Sequence, residues 1–307
     1  MPRPETVHLG LAQGLRACAG YLFVLLLLAL PVCAQDRVAI GDRYYLADLP
    51  DNSKGAPLIV ALHGGGGDPA QFRRASGLAA EAVLRGYAVI FPAGSSRRGG
   101  DRLLTWNGGY CCGYAARTGV ADEAFLKAVI ADAVSRYGLD PDRVFVTGMS
   151  NGSILAETFA ATNPRAIRAV AGVSGSMDAA HLKLRAPVPA LLIHGTADAM
   201  VPYGGGVGED SLTRTDFASV AQVVGAFLAP WPGPLARTDR RVDHVADDGT
   251  ALAISDWTDG GRPRLRLITI EGGAHHWPGG HKARLTSGKT RELTANGAIL
   301  DFFDLYR

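Results

Sequence analysis

The sequence predicts an α/β fold with a mainly parallel central sheet and helices on both faces. Three observations predict it. Short, continuously apolar runs alternate with longer runs of helical spacing, as in strands buried on both faces and joined by crossover helices. Polar or glycine-rich clusters follow several of the apolar runs, where an open parallel sheet binds its ligands. With 307 residues, 47% hydrophobic and 20% charged, the chain can bury one large core.

Val38 to Leu46 reads as an antiparallel edge. Pro57–Leu62 (P-L-I-V-A-L) is a buried strand ending at His63. Leu78–Arg85 is helical, and Gly86 supplies the left-handed residue that ends a helix. Tyr87–Phe91 is the next strand. Asp122–Tyr137 carries Phe125, Val129, Ile130, Ala133 and Val134 at helical spacing and is closed by Gly138. Asp142–Thr147 reads as a strand and Ser153–Ala161 as a helix. Ile167–Val173 and Ala190–His194 are further strands, Ser211–Leu228 a helix, Leu265–Ile270 a strand, and Leu293–Leu305 the terminal helix. No repeats occur. The run Pro230-Trp231-Pro232-Gly233-Pro234 reads as a local loop, so residues 35–307 are expected to form a single domain.

Residues 1–34 are expected to be a secretory signal peptide. Arg3 and Arg16 precede the apolar run Tyr21–Leu30, which falls short of the ~20 residues a membrane span needs. Val32 and Ala34 suit cleavage before Gln35. A lipid-anchored form would want a small residue before Cys33, where Val32 stands. The expected location is outside the cytoplasm, extracellular or periplasmic, with no stable membrane association once the leader is removed.

The net charge of +2 and the pI near 8.4 are close to balanced. Arg97-Arg98 and Arg240-Arg241 are only pairs, so no nucleic-acid partner is expected. Of the four cysteines, Cys18 and Cys33 leave with the leader. Cys111 and Cys112 remain, adjacent, as either a vicinal disulfide or two buried thiols. They lack metal-ligand spacing, so no metal is expected, and no cofactor is implied.

The richest segment runs from 142 to 161. A strand, then Gly148-Met149-Ser150-Asn151-Gly152, then a helix is the context of a nucleophile elbow. The turn is tight enough to strain Ser150 and project its hydroxyl off the sheet, while Gly148 and Gly152 let backbones pass closely. Unpaired N–H groups opening the helix point toward an anion. A lone G-x-S-x-G is weak evidence in a chain with 39 glycines; the flanking strand and helix strengthen it.

Three further clusters lie beyond strand ends. His63-Gly64-Gly65-Gly66-Gly67 can bring a backbone N–H to an oxyanion, with Gly65 the expected donor beside Asn151 and Gly66 in reserve. A phosphate-binding loop fits less well, because dinucleotide spacing and a P-loop lysine are missing. His194-Gly195-Thr196-Ala197-Asp198 offers Asp198 to orient an imidazole, or alternatively as an Asx-turn or helix cap. Glu271 to Gly280 contains His275 and His276, between which spacing alone does not choose.

Taken together, Leu62 to Gly67, Trp106-Asn107, Cys111-Cys112-Gly113, Val120 to Phe125, Gly148 to Gly152, His194 to Asp198, Pro202-Tyr203 and His275-x-Trp277-Pro278-Gly279 make the chain similar to one family. It resembles the secreted polyhydroxybutyrate-depolymerase-type esterases, α/β-hydrolases that include feruloyl esterases. The resemblance implies Ser150 as nucleophile, Asp198 as the acid of the triad, and His275 as the base, with His276 its variable neighbour. Two departures, Glu123 where a second aspartate is common and Ala274 where a third glycine is, leave the implied triad untouched.

The expected activity is hydrolysis of carboxylic esters through an acyl-enzyme. Feruloyl or acetyl esters of plant polysaccharides and short hydroxyalkanoate esters all fit, as small or oligomeric substrates. A serine peptidase on the same fold, or a non-catalytic carbohydrate- or polymer-binding protein, are the alternatives. Trp106, Tyr110, Tyr114, Tyr203 and Trp277 are candidates for the mouth of the site, with Trp277 and Trp106 expected to contact substrate. Oligomeric state is not legible.

Overall fold

Apolar runs set the sheet. In a computed structural model, which describes residues 37–281 and 290–307, the chain order is β1 (Val38–Ile40), β2 (Arg43–Asp48), β3 (Leu58–Leu62), α1 (Pro69–Ser76), α2 (Leu78–Leu84), β4 (Ala88–Pro92), α3 (Gly113–Arg117), α4 (Asp122–Tyr137), β5 (Val144–Met149), α5 (Asn151–Thr162), β6 (Ala169–Val173) and β7 (Ala190–Gly195). There follow β8 (Gly206–Val207), β9 (Asp216–Phe217), α6 (Val220–Leu228), β10 (Ala236–Val242), β11 (Ala251–Asp259), β12 (Arg262–Glu271) and α7 (Ala295–Asp304). The expected leader lies outside the described residues.

Ten strands form one sheet in the order β1-β2-β4-β3-β5-β6-β7-β12-β11-β10. The six central ones, β4 to β12 in that order, pair in parallel, and β1, β2, β11 and β10 add antiparallel margins. β3 to β7 are buried along their whole length because both faces are covered. On one face Leu126, Val129, Phe159, Val223 and Phe227 of α4, α5 and α6 build one core. On the other, Phe72, Leu78, Ile299 and Phe303 of α1, α2 and α7 build a second.

The expected helix at Ser211–Leu228 is shortened. It begins at Val220, where Ser219 and Gln222 form a capping box that satisfies the first N–H groups. Upstream, Phe217 is drawn into the small pair with Gly206, and Leu212 stays 78% exposed. Helix α1 has no counterpart among the sequence expectations, although its signals are present: Asp68 caps it, Pro69 opens it and left-handed Gly77 closes it. β10 is also additional, an exposed edge strand of sequence A-R-T-D-R-R-V with no apolar face to announce it.

Candidate active site

Just after β5 stands Ser150, whose φ of 54° and ψ of −124° are a strained conformation for a residue with a side chain. The strain is held from both sides. The Ser150 N–H donates to Val173 O at the end of β6 (2.9 Å), and its carbonyl accepts from Ile154 N–H in α5 (2.9 Å). A Cβ on Gly148 would sit 2.5 Å from the Gly152 carbonyl carbon, and one on Gly152 would sit 2.5 Å from His63 O. Both glycines are therefore required by backbone contact between the strand, the helix and the loop after β3.

That loop is held by a buried histidine. His63 Nε2 accepts the Gly94 N–H (3.0 Å), so Nδ1 carries the hydrogen and donates to Gly64 O (2.8 Å). Gly66 N–H donates to Leu104 O (2.8 Å), which removes it as an oxyanion donor. The backbone N–H groups of Gly65 and Asn151 have no hydrogen-bond partner among the described residues. Gly65 packs directly on Asn151, with a built Cβ 3.4 Å from the Asn151 Cβ, so the two stand side by side.

Burial lowers the His63 imidazole to about 4 from an ordinary 6.5. The folded state thus excludes a proton that the unfolded chain binds below 6.5. Stability from this site is intact above 6.5, and about 3 kcal/mol of it is lost as pH falls to about 4. Urea denaturation across that range is expected to show the loss, and His63→Gln, which cannot charge, to flatten it. A variant with the wild-type slope would refute the assignment.

The candidate acid and base, Asp198 and His275, follow β7 and β12, which are neighbours. Their following loops are stitched together: Ala197 N–H donates to Gly273 O (2.8 Å), and Gly272 N–H to Thr196 Oγ1 (2.9 Å). The Asp198 side chain is sealed from solvent. Its Oδ1 accepts the N–H groups of Met200 (2.9 Å) and Val201 (2.8 Å), and its Oδ2 lies 2.8 Å from His275 Nδ1. Burial works to raise the Asp198 carboxyl, but hydrogen bonds from His194 and His275 outweigh it and hold it well below the usual carboxylate range.

The two adjacent histidines differ in their contacts. His276 Nδ1 donates to Ala274 O (2.8 Å), its Nε2 has no partner among the described residues, and burial lowers its pKa. It does not meet Asp198; His275 does. Because β5, β6, β7 and β12 run parallel and adjacent, Ser150, Asp198 and His275 all follow strand ends at one edge of the sheet.

Two expected substrate contacts are corrected. Trp106 is fully buried, its ring tilted 35° against that of His63 with centroids 4.9 Å apart. Its Nε1–H donates to His63 O (2.9 Å), and its backbone is clamped to the Asn151 amide by bonds of 2.7 and 2.9 Å. It therefore fixes the oxyanion loop to the elbow. Trp277 is 6% exposed, edge-on to Phe72 at 5.3 Å, and donates to Asn296 Oδ1 (2.9 Å). Both rings are core because their N–H groups find partners inside. Tyr110 and Tyr203 are half-buried and tied to Ser176 O and Thr269. Cys111 and Cys112 are bridged to each other, and Cys111 packs with Ile154, Val201 and Phe217.

Two residues escaped the sequence analysis. Arg43 donates to the buried Asp122 (2.7 Å) and to Ala93 O, while Asp122 accepts the Asn107 N–H (2.7 Å), anchoring the loop that carries Trp106. His194, read only as part of a cluster, meets Asp198 from a second side at 3.4 Å.

A mainly parallel sheet with a strained serine at a strand-to-helix turn is the architecture of the α/β-hydrolase class. The solved acetyl xylan esterase from Aspergillus awamori superimposes with a TM-score of 0.58 at 16% identity, over 88% of this chain and 98% of that one. Residues 43–188 match the family model described as Esterase PHB depolymerase, and the relatives that the chain resembles are carboxylic ester hydrolases. The "Putative esterase NocK" of Nocardia uniformis subsp. tsuyamanensis is 28% identical over 82% of this chain and 75% of its own length. Feruloyl esterase B of Piromyces equi is 31% identical over 51% of this chain and 28% of its own. Seven further curated relatives are matched over 21% to 62% of their length.

Proposed function

We propose that this protein hydrolyses carboxylic esters with Ser150 as nucleophile, His275 as general base and Asp198 as the carboxylate that orients it. Ser150 Oγ attacks the ester carbonyl while His275 Nε2 takes its proton. The N–H groups of Asn151 and Gly65 receive the developing oxyanion. The imidazolium returns its proton to the leaving alcohol, and water, activated by the same imidazole, releases the acid and frees Ser150. Asp198, ionised and sealed from water, supports the imidazolium as it forms. The observation that carries this is the bond between His275 and Asp198 at the edge of the sheet where the strained Ser150 stands.

The substrate class follows from relatives named for feruloyl, acetylxylan and poly(3-hydroxyalkanoate) esters: an aryl or acetyl ester of a plant polysaccharide, or a short hydroxyalkanoate oligomer. Secretion accompanies this reading, on the strength of the basic and apolar pattern of residues 1–34. No helix among the described residues is long and apolar enough to cross a membrane.

An organophosphate is expected to label Ser150 stoichiometrically and abolish turnover, read by peptide mass spectrometry. Rates on methyl ferulate, an acetylated xylo-oligosaccharide and a hydroxybutyrate oligomer then rank the substrates. Label on another residue, or amide cleavage outrunning every ester, would overturn the proposal.

A further inference from the structure

Four residues with side chains adopt a positive φ among the described residues, and two of them, Ser150 and Ser174, are neighbours in the sheet. Met149 at the end of β5 pairs with Val173 at the end of β6, so these serines are the first residues beyond two adjacent parallel strands. Their φ angles are 54° and 50°. Ser150 N–H donates to Val173 O and Ser174 N–H to Ile193 O, both at 2.9 Å. Neighbouring strands lie about 4.8 Å apart, which sets Ser174 beside the nucleophile. The strain at Ser150 serves the elbow; the reaction above makes no use of the strain at Ser174. At most left-handed positions the chain carries glycine, which adopts them freely. At 174 it keeps a side chain, at a cost in backbone energy.

The segment after Ser174 is fixed on several sides. Met177 N–H donates to the buried Glu157 of α5 (2.9 Å), Tyr110 Oη–H to Ser176 O (2.7 Å), and Ser176 Oγ–H to Ala218 O (2.7 Å). A Cβ on Gly175 would strike the Ser153 side chain, so the segment lies hard against the first turn of α5. Ser174 is only 2% exposed, yet its hydroxyl has no hydrogen-bond partner among the described residues. It is not one of the sealed, unpartnered polar atoms either, so the sliver of Ser174 that meets solvent includes Oγ. A nearly buried hydroxyl that is unpaired within the protein and open on one side is placed to bond what enters from solvent.

We propose that Ser174 is a specificity-determining residue of the ester site, its Oγ–H donating to an oxygen that the acyl group carries near its carbonyl. The inference rests on the esterase reading and narrows its substrate class. In that reading the carbonyl oxygen belongs to the N–H groups of Asn151 and Gly65, and the leaving oxygen to His275. The acyl chain is the part of the ester left without a polar contact, and Ser174 stands one strand spacing from the serine that attacks it. An oxygen on C3 of the acyl chain falls within that reach. An acetyl group has no C3, and a feruloyl group carries no oxygen there. The chemistry that fits is a 3-hydroxyalkanoyl ester, whose C3 hydroxyl or acyloxy oxygen accepts the Ser174 hydrogen. A site that holds a donor ready for such an oxygen discriminates against the analogue lacking it.

The test compares kcat/KM of wild type, Ser174→Ala and Ser174→Gly on ethyl 3-hydroxybutyrate, ethyl butyrate and 2-hydroxyethyl butyrate. The last carries its extra oxygen on the alcohol side. Ser174→Ala is expected to lose about tenfold on the 3-hydroxy ester and to stay within about twofold on the other two, since one hydrogen bond to substrate is removed. Ser174→Gly is expected to show the same selective loss, with a melting temperature no lower than that of Ser174→Ala, because glycine takes φ 50° freely. If Ser174→Ala does not fold, the glycine variant decides alone. Equal losses on all three esters would make Ser174 a structural residue, and a loss confined to 2-hydroxyethyl butyrate would put its bond on the alcohol. Either overturns the inference, as does an unchanged rate on the 3-hydroxy ester. Turnover of methyl ferulate or an acetylated xylo-oligosaccharide with none of the 3-hydroxy ester overturns it too, and leaves the esterase reading standing. Should no ester at all be hydrolysed, the esterase reading falls and this inference with it.

Discussion

Ser150→Ala is expected to lower kcat/KM on 4-nitrophenyl acetate by about 10⁴- to 10⁶-fold, with thermal stability within about 1 kcal/mol of wild type. The hydroxyl is the only atom removed. The Cβ, the left-handed backbone and the bonds from Ser150 N–H to Val173 O and from Ile154 N–H to Ser150 O all remain, so folding loses nothing of note. Residual rate would come from the Asn151 and Gly65 N–H groups acting on water-borne attack. Ser150→Gly should be equally inactive yet more stable by about 1 kcal/mol, because glycine adopts φ 54° without strain. Turnover retained in either variant would sink the assignment of the nucleophile.

The two adjacent histidines should separate sharply. His275→Ala is expected to reduce kcat by about 10³- to 10⁵-fold, since it removes the proton acceptor and leaves Asp198 Oδ2 without its 2.8 Å bond. His276→Ala should cost less than about tenfold, because its ring donates only to Ala274 O and makes no contact with Asp198. Initial rates at pH 7, with circular dichroism to check folding, are sufficient. The reverse ranking would reassign the base, and equal losses would remove the support that the Asp198 bond gives to His275.

Much of this site was legible because its constraints are local. Gly148 and Gly152 announce the elbow because backbones pass where a Cβ would stand, and the strand before it is apolar because both its faces are covered. What stayed hidden depends on contacts distant in sequence. Trp106 and Trp277 sit in loops near the chemistry, and nothing local says that His63 O and Asn296 will take their indole hydrogens. The pairing of Arg43 with Asp122 spans strands and helix, and β10 has no apolar alternation to betray it. The different contacts of His275 and His276 depend on where Asp198 comes to lie, which no local pattern gives.

That outermost ribbon has a bearing on how molecules of this kind meet one another. A bare sheet margin invites a second copy to zip alongside it. For two antiparallel copies in the register centred on Asp239, each Asp239 would face its twin, and Arg237 would face Arg241 on either side. In that register like charge confronts like charge at Arg237, Asp239 and Arg241, which disfavours this alignment of two copies along the margin.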